Sequence, residues 1–405
     1  MSSLKFLYLI LFIGILSCDT AKTIEPIGDA YFLKFYGQVG NQEGVSVQST
    51  SDGGFIIGGN SIGAISGSSD YMLIKVDKQG NQEWLKTYDF GGDDRFTEVL
   101  SYNNQYLIAG TSTLSANDGN DYTKIVLKKV SEDGTEIDDF IVAQDTLIYN
   151  NYVCTDISIA SSGKFLVTGT YDGKAGASVT GNSVLAVVEN DFSSDQNYFS
   201  GLDNPEVVFV KVQEVMNQFT NEVNYLVFAH KAVGTELFIS LYQYQTNLTI
   251  PNSAAQLNFL NSKIKDVVSL PNNKYMILAS SGGVTSLVQV VENSYGYFYP
   301  SAGQVIKSEL NLNGTSISIS ENGNYAISAD ITEANSTNTL STIFESNLFG
   351  TINWQRIFGT SLAYPYKAGK VEVLQDGTVV FTGTAGLESQ TKAFLIKMKS
   401  NGDMK

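Results

Sequence analysis

The sequence is poor in the residues on which many catalytic and metal sites depend. Its 405 residues include one histidine, two cysteines and two tryptophans. With His230 as the sole imidazole, a histidine-based zinc site or a Ser-His-Asp relay has little to be built from. We therefore expect a structural or surface role for His230. Two tryptophans argue against a tryptophan-lined glycan groove, whereas 22 tyrosines leave room for a tyrosine-rich one.

Basic residues and prolines are also scarce. Against 41 Asp and Glu stand 25 Lys and Arg, which gives a net charge of −16. Phosphate binding needs clustered cations, so this balance argues against a nucleic-acid partner and disfavours adsorption to anionic lipid. Only 6 prolines are present, as suits a chain made mostly of paired strands.

The N-terminus has the pattern of an export signal. Lys5 precedes an apolar run over residues 6–16, which is too short to span a bilayer as a helix. Ser17 and Cys18 follow this run directly, and the arrangement resembles a bacterial lipobox. We expect residues 1–17 to be a lipoprotein signal peptide and Cys18 to be acylated as the first residue of the mature chain.

A lipidated Cys18 predicts where the protein lies. Several acyl chains would hold the mature chain durably on a membrane, here the bacterial outer membrane. Residues 18–29 would form a short tether. The alternative is a plain signal peptide that happens to contain a cysteine. With Cys18 acylated, Cys154 has no disulfide partner, and its alternating strand context predicts a buried, inert thiol.

A short unit recurs seven times and predicts the fold. It consists of a turn followed by an apolar strand, with an aromatic residue at the key position in six copies. The key residues, 50 to 60 positions apart, are Phe55, Tyr106, Phe165, Tyr225, Tyr275, Tyr325 and Val379. A period near 50 that contains only strands matches four-stranded propeller blades. In the first copy we assign strands to residues 45–50, 55–60, 71–76 and 84–88, and we expect almost no helix.

The two ends of the chain complement each other. Residues 393–403 match residues 71–81, but the chain stops where a fourth strand should begin. Residues 32–36 (FLKFY) look like that missing strand, with no blade before them. We therefore predict an all-β, seven-bladed β-propeller of four-stranded antiparallel blades over residues 30–405. In it, residues 32–36 complete the blade that contains residues 370–400 and close the ring.

The repeat resembles that of a known group of proteins. The unit SDGGFIIGGNS…DYMLIKVDKQGNQEWLKTYDFGG is similar to a propeller repeat common in lipoproteins of the Bacteroidota. The first and seventh copies match best, the second and sixth match in part, and the third to fifth keep little beyond the second strand. The resemblance implies a cellular location and a fold, but it implies no catalysed reaction.

Few residues qualify as a chemical site. Asp118, Asn120 and Asp121 offer hard oxygen ligands for Ca²⁺, but they lack the spacing of an EF-hand and fit a polar loop better. The segment Gly91-Gly-Asp-Asp94 is explained by turn chemistry. Trp84 and Trp354 occupy the same place in the repeat, which predicts packing between blades. We assign no catalytic residue and expect no cofactor.

Three functions remain open. The favoured one is a non-enzymatic, membrane-anchored binding or scaffold propeller, a monomer that docks a protein or glycan partner on one rim. The second is a carbohydrate-binding or glycan-degrading propeller, which needs a pocket with paired carboxylates. The third is a structural subunit of an envelope complex.

Overall fold

A computed structural model describes residues 31–63, 67–115, 121–143, 151–171, 182–200, 207–218, 220–233, 235–248, 253–257, 261–332, 339–359 and 365–404. Strands are the only regular elements over these ranges, as the sequence predicts. The described part of the chain accordingly contains no helix of the length and apolarity needed to cross a membrane.

Within the described residues, twenty-eight strands follow one another. The first fourteen are β1 (Phe32–Tyr36), β2 (Asn41–Ser49), β3 (Phe55–Ile62), β4 (Ser69–Val76), β5 (Gln82–Tyr88), β6 (Asp94–Tyr102), β7 (Gln105–Ser115), β8 (Asp121–Ser131), β9 (Glu136–Ile141), β10 (Tyr152–Ile159), β11 (Phe165–Tyr171), β12 (Asn182–Val188), β13 (Asp195–Phe199) and β14 (Val207–Met216). The others are β15 (Val223–Val233), β16 (Glu236–Gln245), β17 (Ser253–Leu257), β18 (Lys263–Leu270), β19 (Lys274–Ser281), β20 (Val284–Glu292), β21 (Phe298–Val305), β22 (Leu312–Ile319), β23 (Tyr325–Thr332), β24 (Thr339–Ser346), β25 (Ile352–Phe358), β26 (Tyr366–Val373), β27 (Val379–Leu387) and β28 (Gln390–Met398).

The strands pair into seven four-stranded antiparallel sheets. Blade 1 is the meander β2-β3-β4-β5, and blades 2 to 6 repeat that order with the next twenty strands. Blade 7 consists of β26, β27, β28 and β1. Successive blades contact one another, and β2 of blade 1 also contacts blade 7. The protein is a seven-bladed β-propeller, and all seven repeated segments are second strands, as predicted.

The N-terminal strand closes the ring as the outer strand of the last blade. β1 runs antiparallel to β28, with Phe32 opposite Lys397 and Tyr36 opposite Ala393. This pairing covers the edge that β28 would otherwise expose. The prediction that residues 32–36 complete the last blade is confirmed.

A repeated contact joins the outer strand of one blade to a turn of the next. Phe32, Trp84 and Trp354 are equivalent by register, and each ring lies against a glycine of the following blade, respectively Gly80, Gly134 and Gly402. A Cβ at Gly402 would lie 2.6 Å from Trp354 Cε3, so only glycine fits. The predicted role of both tryptophans, packing between blades, agrees with these contacts.

The hydrophobic core lies between blades. One cluster joins Phe32 and Leu395 of blade 7 to Phe55 and Ile74 of blade 1, and six further clusters combine strands of neighbouring sheets in the same way. Each sheet is therefore stabilised by burial of apolar area against its neighbours, at about 25 cal/mol per Å². Removing one blade edge consequently weakens two blades.

Candidate functional site: the charged axis of the ring

A bulge at the same place in every first strand builds the axis. The register shifts by one residue next to Ser46 in β2, at equivalent places in the first strands of blades 2 to 6, and between Ala368 and Val371 in β26. Bulges of this kind re-aim side chains. The seven equivalent residues around the axis are Ser46, Glu98, Asp156, Lys211, Asp266, Ser316 and Lys370.

Five of these residues carry charge and form one ion-pair cluster, which we call the axial cluster (Glu98, Asp156, Lys211, Asp266 and Lys370). Lys211 Nζ lies 2.7 Å from Asp156 Oδ1, 3.5 Å from Asp266 Oδ1 and 3.7 Å from Glu98 Oε2. Lys370 Nζ donates to Glu98 Oε1. First strands from five of the seven blades thus meet through side chains, which places the first strands around the axis.

Backbone groups hold the carboxylates in place. Asp156 Oδ2 accepts a hydrogen bond from the Val212 N–H at 3.0 Å, and Asp266 Oδ2 accepts one from the Ile317 N–H at 3.1 Å. Ser316 Oγ also donates to Asp266 Oδ2 at 2.7 Å. Each donor belongs to the blade that follows, so the axial carboxylates also link neighbouring blades.

The cluster separates the pKa values of its members. Burial raises the pKa of Asp156 to about 6, although Lys211 opposes the rise. Burial acts in the same direction on Asp266, but Lys211, Lys370 and two hydrogen bonds hold the pKa of that carboxyl below its usual value. Burial would lower the pKa of Lys211, but the three surrounding carboxylates raise it well above its usual value. Both lysines carry charge at neutral pH, since the pKa of Lys370 is raised as well, chiefly by Glu98 acting against burial.

The axial cluster separates two cavities, both of which it lines. The wide cavity, about 440 Å³, is bounded by the late residues of the first strands, among them Gln48, Ser158, Gln213 and Ser318. The narrow cavity, about 210 Å³, is bounded by early residues such as Val45 and Thr155. The wide cavity falls within the size range of small-ligand sites.

The wall of the wide cavity is polar, and most of its polar groups cross-link blades. Gln48 Oε1 accepts from the Ser101 N–H at 2.7 Å, and Glu372 accepts from the N–H and hydroxyl of Ser49. Ser318 Oγ accepts from the Val373 N–H. The Ser158 hydroxyl is different, because it is buried and makes no hydrogen bond. It is an unpaired polar group of a residue that lines the wide cavity.

The solitary histidine belongs to a repeated inter-blade bond. The Ile264 N–H donates to His230 Nε2 at 2.6 Å. At the equivalent position of other blades, the acceptors of the same bond are Asn60, Thr111, Ser280, Asp330 and Thr384. Burial lowers the pKa of His230 to about 4, with Lys263 and Lys265 adding to the effect. A neutral, structural imidazole agrees with the role expected from the sequence.

Cys154 and Asp121, which were also singled out in the sequence, do not line the axial cavities. Cys154 is buried in β10, and burial raises the pKa of its thiol to about 12, as fits an inert group. Asp121 is exposed at the start of β8 and accepts from Ser115 Oγ. Its proposed partners Asp118 and Asn120, and the lipidation residue Cys18, lie outside the described residues.

The Gly91–Asp94 segment forms a turn, as expected. The Gly91 N–H donates to Asp89 Oδ1 at 2.6 Å, and the Phe90 N–H donates to Asp94 Oδ2 at 3.1 Å. The structure adds what the sequence did not indicate, a cluster of Asp94 with Asp89 and Asp70 across the junction of blades 1 and 2.

The axial residues were missed in the sequence, although the repeat contains their signal. In five copies the axial residue stands nine positions before the key residue, as Asp156 does before Phe165. In the second copy the interval is eight, and in the fourth a longer turn extends it. Comparing this position between copies would have revealed two lysines interleaved with three carboxylates.

Comparison with known proteins shows the fold and no family. No protein-family model and no curated protein matches the sequence. Among solved structures, the Dos1 propeller is similar over 91% of this chain and 94% of its own, with a TM-score of 0.50 and 8% identity. Kuenenia stuttgartiensis hydrazine synthase matches over 85% of this chain and 96% of its own, with a TM-score of 0.48 and 10% identity. At such identities the likeness to Dos1 establishes the propeller and nothing about a ligand.

Proposed function

We propose that the protein is a lipid-anchored, non-enzymatic binding propeller of the bacterial outer membrane, and that it holds an uncharged polar segment of a protein or glycan partner in the wide cavity. The observation that carries the proposal is the cavity itself. Its volume of about 440 Å³ suits a small ligand, its wall offers hydroxyl and amide groups, and one buried hydroxyl, that of Ser158, lacks a partner.

The axial cluster forms the floor of the wide cavity. Because its charges are paired, it is better suited to binding a ligand than to catalysing a reaction. Asp156 and Glu98 contact lysine ammonium groups, and Asp266 is held by hydrogen bonds as well as by Lys211. A carboxylate fixed in this way is poorly placed to attack a substrate or to activate water. A ligand that carries its own charge would have to displace these pairs, so the floor selects for neutral groups.

The anchor rests on the sequence. The apolar run over residues 6–16 and the Ser17-Cys18 pair fit lipoprotein export. Residues 18–29 would tether the ring to the acyl chains. This arrangement suits a protein that presents a binding surface at a membrane.

Ligand retention tests the binding proposal. The lipoprotein is purified from envelopes in mild detergent and weighed by native mass spectrometry. The wild type should carry an additional mass, and Ser158→Phe, which fills the cavity, should lose it. Ser301→Phe on exposed β21 is the matched control and should retain it. A wild type without bound mass, or equal retention by both variants, would contradict the proposal.

A second function is favoured by one observation, the divergence of the Asp156 and Asp266 pKa values on either side of Lys211. An acid with a raised pKa beside a carboxylate with a lowered one is the arrangement that glycosidases use. Release of reducing ends from envelope polysaccharides, lost in Asp156→Asn, would support this alternative. Absence of release by the wild type would exclude it for those substrates.

A further inference from the structure

Three carboxylates converge where blades 1 and 2 meet. Asp70 at the start of β4, Asp89 after β5 and Asp94 at the start of β6 each place an oxygen within 4.8 Å of the others. Asp94 is buried, with 2% of its surface exposed, and its Oδ1 has no hydrogen-bond partner. Among the described residues, no basic side chain pairs with any of the three. A buried, partly unsatisfied carboxylate beside two like charges is costly unless a cation neutralises it.

Burial, together with repulsion between the carboxylates, raises the pKa values of Asp94 and Asp70. Burial raises the pKa of Asp94 to about 6, and the charges of Asp89 and Asp70 add to the rise. The Phe90 amide and the Ser112 hydroxyl offset only part of it. Burial and Asp89 also raise the pKa of Asp70. A positive charge placed among the three carboxylates would therefore stabilise the folded protein.

The pseudo-symmetry of the ring shows what occupies this place elsewhere. At the junction of blades 7 and 1, Lys392 is equivalent to Asp70, and Gln42 is equivalent to Asp94. Lys392 Nζ donates to Gln42 Oε1 at 2.8 Å, to the Gly40 carbonyl at 3.3 Å and to the Gln38 carbonyl. A cation held by oxygen atoms thus already occupies the equivalent position at the seam of the ring.

The remaining junctions show that the acidic set is exceptional. At the five other junctions, the residues equivalent to Asp70 and Asp94 do not bring like charges together. These pairs are Lys124 with Tyr152, Asn182 with Val207, Phe238 with Ser262, Val284 with Leu312, and Leu340 with Tyr366. Among these seven pairs of described residues, only the pair at the junction of blades 1 and 2 brings acids face to face.

We propose that Asp70, Asp89 and Asp94 form a calcium site that joins blades 1 and 2. Carboxylate oxygens suit a hard divalent cation, and Ca²⁺ takes six to eight oxygen ligands. Asp89 is exposed, so water completes the shell on that side. The bound Ca²⁺ would supply the positive charge that the Lys392 side chain supplies at the equivalent position of the seam.

Calorimetric titration of the full lipoprotein in detergent with CaCl₂ tests the site. The wild type should bind one Ca²⁺ per chain, with a Kd of roughly 10⁻⁴ M as in extracellular calcium modules, and its Tm should rise with CaCl₂. Asp94→Asn should weaken binding by roughly tenfold or more, since it removes the buried carboxylate. Asp93→Asn, in the same turn, and Asp121→Asn, in the loop indicated by the sequence, should leave binding unchanged.

A charge swap gives a second and independent measurement. Asp70→Lys places an ammonium group where the seam has Lys392, so it should raise the calcium-free Tm and abolish the response to CaCl₂. The site is refuted if the wild type shows neither heat nor a Tm shift up to about 10 mM CaCl₂. It is equally refuted if Asp121→Asn removes the binding, or if Asp70→Lys still responds to calcium.

Discussion

The Tyr36 hydroxyl donates a hydrogen bond to the Gly80 carbonyl at 2.8 Å, across the seam between the last and first blades. The equivalent bond at the next junction runs from the Tyr88 hydroxyl to the Gly134 carbonyl at 3.0 Å. Lys34 Nζ adds bonds to the Gln79 carbonyl and to Asn81 at the seam. The seam therefore has the tyrosine–carbonyl bond of an ordinary junction and, in addition, the bonds of Lys34, although its two blades come from opposite ends of the chain.

Loss of the closing strand should destabilise the whole ring. Deletion of residues 30–37 exposes the edge of β28 and the apolar faces of blades 7 and 1, and net stability is only about 5–15 kcal/mol. We expect a large loss of Tm or insoluble protein, measured by calorimetry. Deletion of residues 19–28 is the control and should leave Tm nearly unchanged. Equal melting of the two deletions would disprove the role of β1.

Each hydrogen bond at the seam should contribute no more to the free energy of unfolding than the equivalent bond at another junction. Tyr36→Phe and Tyr88→Phe each remove one hydroxyl, at a cost of about 0.5–1.5 kcal/mol. Urea unfolding should give similar values for both variants, because the two bonds are equivalent. A much larger loss for Tyr36→Phe would indicate that the seam is closed by a special contact.

Much of this architecture could be predicted from the sequence, because the repeat encodes it locally. At three junctions a turn glycine and an aromatic residue of the preceding blade recur together, as Gly402 and Trp354 do. The pairing of Phe32–Tyr36 with the last blade was predictable in the same way, because residues 393–403 match residues 71–81 of the first blade and residues 32–36 resemble the strand that follows them there. The axial cluster was not predicted, because Asp156 and Lys211 stand in different copies and meet only when the ring closes. The turn that contains Asp94 was noted, but its convergence with Asp70 was missed for the same reason, since the two carboxylates face each other only across a blade junction.

The axial lysine should be essential for stability. Lys211→Met leaves Asp156, Asp266 and part of Glu98 without their counter-charge, and removing one partner of a buried ion pair costs about 3–5 kcal/mol. Urea unfolding should show this loss. The double variant Lys211→Met with Asp156→Asn should recover part of it, because it also removes one uncompensated charge. Additive losses in the double variant would show that the two side chains do not interact.

His230 should make the stability depend on pH in the acid range. Its pKa is about 4 in the folded protein and about 6.5 when unfolded, so folding favours the neutral ring. The associated stability is fully present above pH 6.5 and is lost as the pH falls through 4, a loss of up to about 3 kcal/mol. His230→Asn keeps an acceptor, as Asn60 does in blade 1, but cannot take up a proton.

Unfolding free energies at pH 7.5 and pH 4 would measure this effect. The wild type should lose more stability than His230→Asn between the two values. Carboxyls with raised pKa values, such as Asp156, change stability in the opposite direction, but they contribute equally to both proteins and cancel in the comparison. Parallel pH profiles would show that protonation of His230 is not linked to folding.

The anchor can be tested directly. Cys18→Ser should move the protein from the membrane fraction to the soluble fraction, because it removes the acylated thiol. Mass spectrometry of the wild-type N-terminal peptide should show acyl chains on Cys18, and Cys154→Ser should remain in the membrane fraction. A Cys18→Ser protein that stays with the membrane, together with an unmodified wild type, would rule out lipidation.

Photo-crosslinking in intact cells tests the binding site at the axis most directly. A benzophenone amino acid placed at Gln213 would lie in the wall of the wide cavity, and the same residue placed at Gln304 would lie on the exposed outer strand of blade 5. Irradiation followed by mass analysis of the purified protein should give a defined adduct at position 213 and none at 304. An adduct at 304 alone, or none at 213, would contradict a ligand held in the wide cavity.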